Sequence, residues 1–392
     1  MEKPTDIKEK FFDTAIQVAT EIETQSSSRN TACASIYHKC ALFAEHQYHS
    51  VLKSPDAVRW KVYVERKRQE IKQRESQLQR MQIGSNDYGV LQEAQKNARS
   101  ILAEDEHAYQ RHNGSLVTFL ELAIDMYSRC LATSDIFDDD VPIRFSSLWF
   151  ANFDDRGLQG RIKGAVDRIP SRKFVFLSHQ LSARISHPGS GELPQSQQIL
   201  QQLVLRMCRE HPFHSLYQVY CIRPEGPLSQ LTRRSSSRLE TPSSQADRAH
   251  AASTIFGQLL SDPQRADRTK AIEKVCDASL QWAKYPVKDN RALKKTKGIY
   301  QVPEGMPIRH LRNVCVPVLT SPPAIDPTLK YDDCVWISHY DTTFTVPGGV
   351  NNPKNTTCYG SNGRRFKQLV STRLIALHTV PESFLLVQRG GE

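Results

Sequence analysis

The chain has 392 residues, with 52 Lys and Arg against 42 Asp and Glu for a net charge of +10; 39% of it is hydrophobic and 24% charged. That composition suits two or three globular domains rather than a disordered or fibrous chain, and no run approaches the ~18 consecutive apolar residues of a membrane span. The opening from Glu2 to Lys10 is charged rather than apolar, unlike a secretory leader, and nine cysteines without a C-x-x-C pair read as free thiols of a reducing compartment, cytosol or nucleus.

The first two hundred residues predict helix after helix. Residues 11–23 place Phe11, Ala15, Ile16, Val18 and Ala19 near one face, and residues 32–52 repeat the rhythm with Ile36, Cys40, Phe43, Ala44 and Tyr48. After Ser54-Pro55-Asp56, residues 57–81 form a long charged segment free of Gly and Pro, expected to be one arm of an antiparallel helical hairpin. Its bases interleave with Glu65, Glu70 and Glu75, the pattern of a solvated helix face, so direct nucleic-acid binding is not supported. A break at 84–87 precedes the return arm, 91–111, and then the most apolar helix, 116–131. Further helices are expected at 142–153, 157–167, 174–185, 195–210 and 212–221. No fixed repeat period emerges, so the expected architecture of 1–222 is an irregular solenoid of stacked helix pairs.

Composition shifts after Cys221. Residues 223–247 are rich in Ser, Arg, Gln and Pro and read as a disordered loop. Helices resume at 248–260 and 268–284 within a helical linker, 248–307. From 308 onward the chain turns to short β-rich runs at 314–318, 334–337, 344–346, 356–359 and 364–370, the last two flanking an Asn-Gly turn that signals a hairpin. The fold class is therefore mainly α, followed by a small β-rich segment.

Few side-chain groupings suggest chemistry. Cys208, His211, His214 and Cys221 are spaced C-x2-H-x2-H-x6-C, which fits no zinc module, and Pro212 interrupts the helix that would align them; they read as packing and capping groups at a helix junction, with no metal site expected. Gly348, Gly349, Val350, Asn351, Asn352, Pro353 and Lys354 lie between two β-runs, where glycine would let backbone N–H groups approach a phosphate. A simple hairpin connection is the other reading. Phosphoryl transfer also needs a catalytic Asp and metal-binding carboxylates beyond such a loop, and the 38 residues after Lys354 contain no Asp. No catalytic residue is assigned. Ser229 and Ser244, each followed by Gln in the exposed loop, are candidate phosphorylation sites.

The run FTVPGGVNNPKNTTCYGSNGRRFKQL, residues 344–369, closely resembles the start of the kinase domain in the phosphatidylinositol-3-kinase-related protein kinases, most of all the ataxia-telangiectasia-mutated kinase and its fungal telomere-maintenance counterpart. CREHPFHSLYQ at 208–218, RKFVFLSHQLSARI at 172–185, AEHQYHSVLKS at 44–54 and GIYQVPEGMPIRHLRNVCVPVL at 298–319 resemble, in order, segments of the family's helical FAT region and its link to the kinase. The resemblance implies a nuclear serine/threonine kinase of DNA-damage response and telomere maintenance. It would use ATP and Mg on Ser or Thr followed by Gln, with a DNA-break-sensing complex and protein substrates as partners and a homodimer contact through FAT helices.

Residue by residue, 348–354 would lie over the ATP phosphates and 364–370 would form the third strand. The family's next position, a Lys that contacts those phosphates, is Ser371 here, and 371–392 does not resemble the family. Residues 308–370 are thus expected to be an incomplete kinase N-lobe and 371–392 a non-homologous tail, read as translated intron. As given, the chain is expected to be catalytically inactive and to bind ATP weakly; a non-catalytic helical scaffold is the alternative.

Overall fold

In the computed structural model, residues 4–25, 30–79, 86–187, 191–223, 242–287, 295–296, 298–347 and 353–370 are described, and the chain divides into two units, Met1–Ile169 and Pro170–Glu392. In the first unit, α1 (Pro4–Ile7) runs through a π-helical stretch, Lys8–Asp13, into α2 (Thr14–Gln25). Asn30 starts α3 (Thr31–Leu52): its side chain accepts from the Ala32 and Cys33 amides at 3.0 and 3.2 Å, satisfying two of the donors that a helix start leaves orphaned. Cys33, Tyr37, Cys40, Ala44 and Tyr48 form its buried stripe.

The expected hairpin is present as α4 (Pro55–Leu78) and α5 (Asn86–Thr133). Lys67 meets Asp105 at 3.1 Å and Arg99 meets Glu75 at 2.5 Å, and the buried Gln95 amide donates to the Ile71 carbonyl at 3.2 Å. The two helices expected at 91–111 and 116–131 are one continuous 48-residue helix. Gly114 costs about 1 kcal/mol in a helix interior, which the burial of Phe119, Leu120, Ile124, Tyr127 and Leu131 outweighs. Most of that buried face packs on α3. There Glu45 accepts from the Tyr127 hydroxyl and from Arg144 of α6 (Val141–Ala151) at 3.0 Å. α7 (Gln159–Arg168) closes the unit, Arg161 pairing with Glu121 and Asp125 of α5.

The second unit opens with a 3-10 helix, Ser171–Leu177, and α8 (Ser178–Ser182), where one α-helix over 174–185 was expected. Ser171, Phe174 and Leu177 are all buried and recur every third residue, the 3-10 repeat. α9 (Gln195–Glu210) and α10 (Pro212–Ile222) meet at His211, whose φ of −130° and ψ of 59° end one helix before Pro212 begins the next. α11 (Pro242–Ser261) starts within the segment expected to be a disordered loop: residues 242–247 are helical, Pro242 supplying the preset φ of a first turn. α12 (Ala266–Lys284) follows.

The sheet is antiparallel throughout, with strands β1 (Lys295–Thr296), β2 (Ile299–Gln301), β3 (Arg312–Pro317), β4 (Trp336–Thr345), β5 (Lys354–Gly360) and β6 (Arg365–Val370). The order is β1-β2-β4-β5-β6, and β3 shares with β2 one edge of the central β4. Two expectations change. The segment 248–307 is helical only to Lys284, and its β2 already belongs to the sheet. The runs at 334–337 and 344–346 belong to one ten-residue strand, β4, whose buried Ile337, Tyr340 and Phe344 depart from strict alternation; register shifts on β5 between 337 and 339 and between 340 and 344 absorb the difference. α12 packs on β3, buries Ile272, Val275, Cys276, Trp282 and Ala283, and brings its last turn to the sheet.

Candidate phosphate-loop hairpin

β4 and β5 pair through Phe344 with Thr356 and Thr345 with Asn355, so residues 346–353 connect them. Within the candidate loop, Gly348, Gly349, Val350, Asn351 and Asn352 lie outside the described residues, while Pro353 and Lys354 are described. β5 alternates cleanly: Lys354, Thr356, Cys358 and Gly360 are buried and the residues between them are partly exposed. That alternation turns Lys354 inward. Its Nζ donates to the Ala283 carbonyl at 3.0 Å in the last turn of α12 and lies 5.2 Å from the centre of the Trp282 ring. A cation at a helix C-terminus meets the negative end of the dipole, yet burial still lowers the Lys354 ammonium to about 8. The group expected over phosphates is thus committed to the interior.

The other stem of the hairpin is held by the same turn. Trp282 is fully buried and packs edge-on against Phe344, ring centres 4.8 Å apart, and Phe344 stacks on Tyr300 of β2 at 5.3 Å. β6 pairs with β5 from Tyr359–Arg365 to Lys354–Val370; Arg365 and Lys367 are exposed, and Arg365 lies over the Tyr359 ring. The turn between them has Gly363 at φ 76°, its amide donating to the Gly360 carbonyl at 2.9 Å. Ser371 and the tail lie outside the described residues.

The Cys-His grouping resolves into packing. His211 Nδ1 is 2.6 Å from the Tyr331 hydroxyl, and His214 Nε2 donates to the Pro323 carbonyl at 2.9 Å. Cys208 and Cys221 are buried, which pushes both thiols up. Tyr331 reaches the helices from the β3–β4 connection. There the Asp326 carboxylate accepts from the amides of Thr328, Lys330 and Tyr331 at 2.7 to 3.1 Å, hydrogen bonds that hold it down at about 2, while Leu329 and Tyr331 adopt φ of 65° and 57°. Of the candidate phosphorylation sites, Ser229 lies outside the described residues and Ser244 sits half-buried in the first turn of α11.

Sequence reasoning missed Trp282, Ala283 and Tyr331 as partners of these residues. The burial of Lys354 in step with Thr356 and Cys358 belongs to the folded strand, and no local sequence pattern announces it.

No family model matches the chain. Among curated proteins it is 28% identical over 353 residues to the serine/threonine-protein kinase TEL1 of Cryptococcus neoformans var. neoformans serotype D, covering 88% of this chain and 11% of that protein. It is 26% identical over 388 residues to the serine-protein kinase ATM of Sus scrofa, covering 95% of this chain and 12% of that protein. Among solved structures, one of the FAT and kinase domain of CtTel1 matches with a TM-score of 0.71 at 21% identity over 94% of this chain and 23% of that one. A structure of the complete CtTel1 dimer with C2 symmetry matches with a TM-score of 0.71 at 20% identity, over 94% of this chain and 12% of that one. The resemblance read from residues 344–369 and the helical segments is borne out, as is the mainly helical fold with a small antiparallel sheet. The chain spans only 11 to 12% of the length of these curated relatives.

Proposed function

We propose that this chain, similar to the Tel1/ATM serine/threonine kinases along nearly its whole length, supplies the end of a FAT region and the opening strands of a kinase domain. The observation that carries the reading is the order in which helical segment, linking helices and hairpin follow one another, matched over 94% of the chain by the FAT and kinase domain of CtTel1. On this reading residues 1–222 are FAT helices, 242–284 linking helices, 295–370 the start of the kinase N-lobe and 371–392 a tail of other origin. The phosphate-binding element is the β4–β5 connection, residues 348–353. Lys354 at its end acts from inside.

The whole kinase would phosphorylate Ser or Thr followed by Gln with ATP and Mg, act in the nucleus with a DNA-break-sensing complex, and pair with a second copy through FAT helices. The similarity of this fold to a structure of the CtTel1 dimer supports the last point. Residues 1–392 alone do not phosphorylate. The family's catalytic and metal-binding carboxylates follow the third strand, and no Asp follows Asp341 in this sequence.

Incubating the purified 392-residue protein with Mg-ATP and a Ser-Gln peptide tests this, with no turnover expected. Turnover would overturn the inactivity and with it the scaffold alternative. Transcript sequence across codon 370 tests the lineage: an exon opening on Lys-Gly supports it, and continuous coding into 371–392 argues against the intron reading of the tail.

A further inference from the structure

We propose that Lys354 is a positioning residue, whose buried ammonium ties the first residue of β5 to the last turn of α12 while Trp282 ties β4 to the same turn, so that the helix sets the relation of the two loop-bearing strands. The proposal rests on reading the β4–β5 connection as the phosphate-binding element.

Three observations carry it. Lys354 is 3% exposed, and its Nζ is 3.0 Å from the Ala283 carbonyl, a group that an α-helix leaves without an internal partner in its final turn. Trp282, one residue earlier, is fully buried and touches both strands: edge-on to Phe344 in β4, and beneath the ammonium of Lys354 in β5. Finally, β5 alternation fixes the side of the sheet on which Lys354 lies, and a residue cannot change sides without slipping register along all of β5 and β6. The bond to Ala283 uses only one of three N–H donors; what withdraws the ammonium from a phosphate is that Lys354 is buried and turned onto α12. α12 then acts on the loop-bearing strands through their two stems, Phe344 and Lys354. The depressed ammonium of Lys354 agrees with this placement.

The test is amine acylation of the intact 392-residue protein by a water-soluble active ester, mapped by mass spectrometry with and without millimolar Mg-ATP. Lys367 is exposed on β6 and serves as the internal reference. Lys354 is expected to react more than about tenfold slower than Lys367, as a group reached only through local opening, and equally slowly with nucleotide. Modification at the rate of Lys367, or protection of Lys354 that appears only with ATP, would overturn the proposal.

A second measurement separates positioning from bulk stability. Lys354→Met removes a buried charge and also the donor to the Ala283 carbonyl, opposed effects on the urea midpoint, while amide exchange at Thr343–Thr345 and Asn355–Thr357 should quicken several-fold more than exchange across α9. Unchanged exchange at both stems would also refute the proposal. Absence of nucleotide binding would count against the phosphate-loop reading alone, because the labelling without ATP and the exchange data do not depend on it.

Discussion

The Nδ1 of His211 and the hydroxyl of Tyr331 lie 2.6 Å apart across 120 residues of sequence. His214 fixes the proton arithmetic of this contact. Pro323 can only accept, so His214 Nε2 carries a proton, and in the neutral ring Nδ1 is then an acceptor, 3.5 Å from the same hydroxyl. The phenol therefore sits between two imidazole nitrogens, nearer to His211, able to donate its one proton and to accept through its oxygen, so that the His211 tautomer sets the direction of the shorter contact. Phe213 packs edge-on against the Tyr331 ring at 5.4 Å, and Tyr331 is 2% exposed. The α9–α10 elbow and the β3–β4 connection are joined by this small polar contact inside an aromatic cluster.

Tyr331→Phe keeps the ring contacts and removes the hydrogen-bond partner of His211 Nδ1. A buried donor or acceptor left unpaired costs about 1–3 kcal/mol. Urea unfolding should show a loss in that range, and hydrogen exchange should show faster opening across residues 318–336 than across α9. An unchanged midpoint would mean that the hydroxyl contributes nothing.

The same pair gives a pH dependence with a definite sign. Burial lowers His211 to about 4 and lowers His214 as well, with Arg172 and the neighbouring histidine adding to the fall at His211 and Asp326 opposing it. The folded chain then holds both rings neutral while the unfolded chain takes up protons near 6.5. Their contribution to stability is complete above about 6.5 and is lost as pH falls from there, for His211 down to about 4, at up to about 1.4 kcal/mol per pH unit for each ring. Asp326 does not compete in this window, because its carboxylate contribution is complete above about 4 and is lost only as pH falls from there towards 2. His38 and His179 are lowered too and add to the slope. His211→Gln, whose amide can still pair with the Tyr331 hydroxyl but does not titrate, should flatten the fall in urea midpoint between pH 7 and 5. Equal slopes in the two proteins would refute the assignment.

Much of this was legible in the sequence where one local period decided the structure. The stripe from Cys33 to Tyr48 and the limits of α9 follow from 3.6-residue spacing and from Pro212. Gly114 misleads because a glycine's local cost is small beside the tertiary burial of the helix after it. β4 reads as two runs because its buried Ile337 and Tyr340 lie three residues apart across a register shift, which spoils the period of two. The Lys354 ammonium and the His211–Tyr331 contact depend on partners 71 and 120 residues away, which no local pattern encodes. A lysine after a glycine loop invites a phosphate, and only the alternation along β5 says otherwise.

Thiol reactivity gives a whole-chain check on burial. Cys33, Cys40, Cys130, Cys208, Cys221, Cys276 and Cys358 are buried, Cys315 is exposed and Cys334 is half-buried, with burial raising its thiol. The thiolate is the reactive form, so Cys315 should react first with Ellman's reagent in the native protein, Cys334 more slowly, and the others only on unfolding. Cys315→Ser should remove the fast phase. Its survival in that variant would contradict the exposure of β3.

The turn of the β5–β6 hairpin depends on a glycine whose need is steric. A Cβ on Gly360 would stand 2.5 Å from Val335 Cγ1, 2.8 Å from Asn362 Oδ1 and 2.9 Å from Phe366 Cε2, so strand, turn and partner strand would all have to move. Gly360→Ala should cost about 1–3 kcal/mol, the range for forcing a methyl into packed structure. Gly363 fails differently: nothing crowds it, but its φ of 76° is left-handed, and alanine there should cost about 1–2 kcal/mol through backbone strain alone. Gly305, open and without a left-handed φ, is the control and should shift by no more than about 0.5 kcal/mol. Urea midpoints of the three alanine variants decide the matter. Restoring room with Val335→Ala should recover part of the Gly360→Ala loss and none of the Gly363→Ala loss, since only the first is a collision with that side chain.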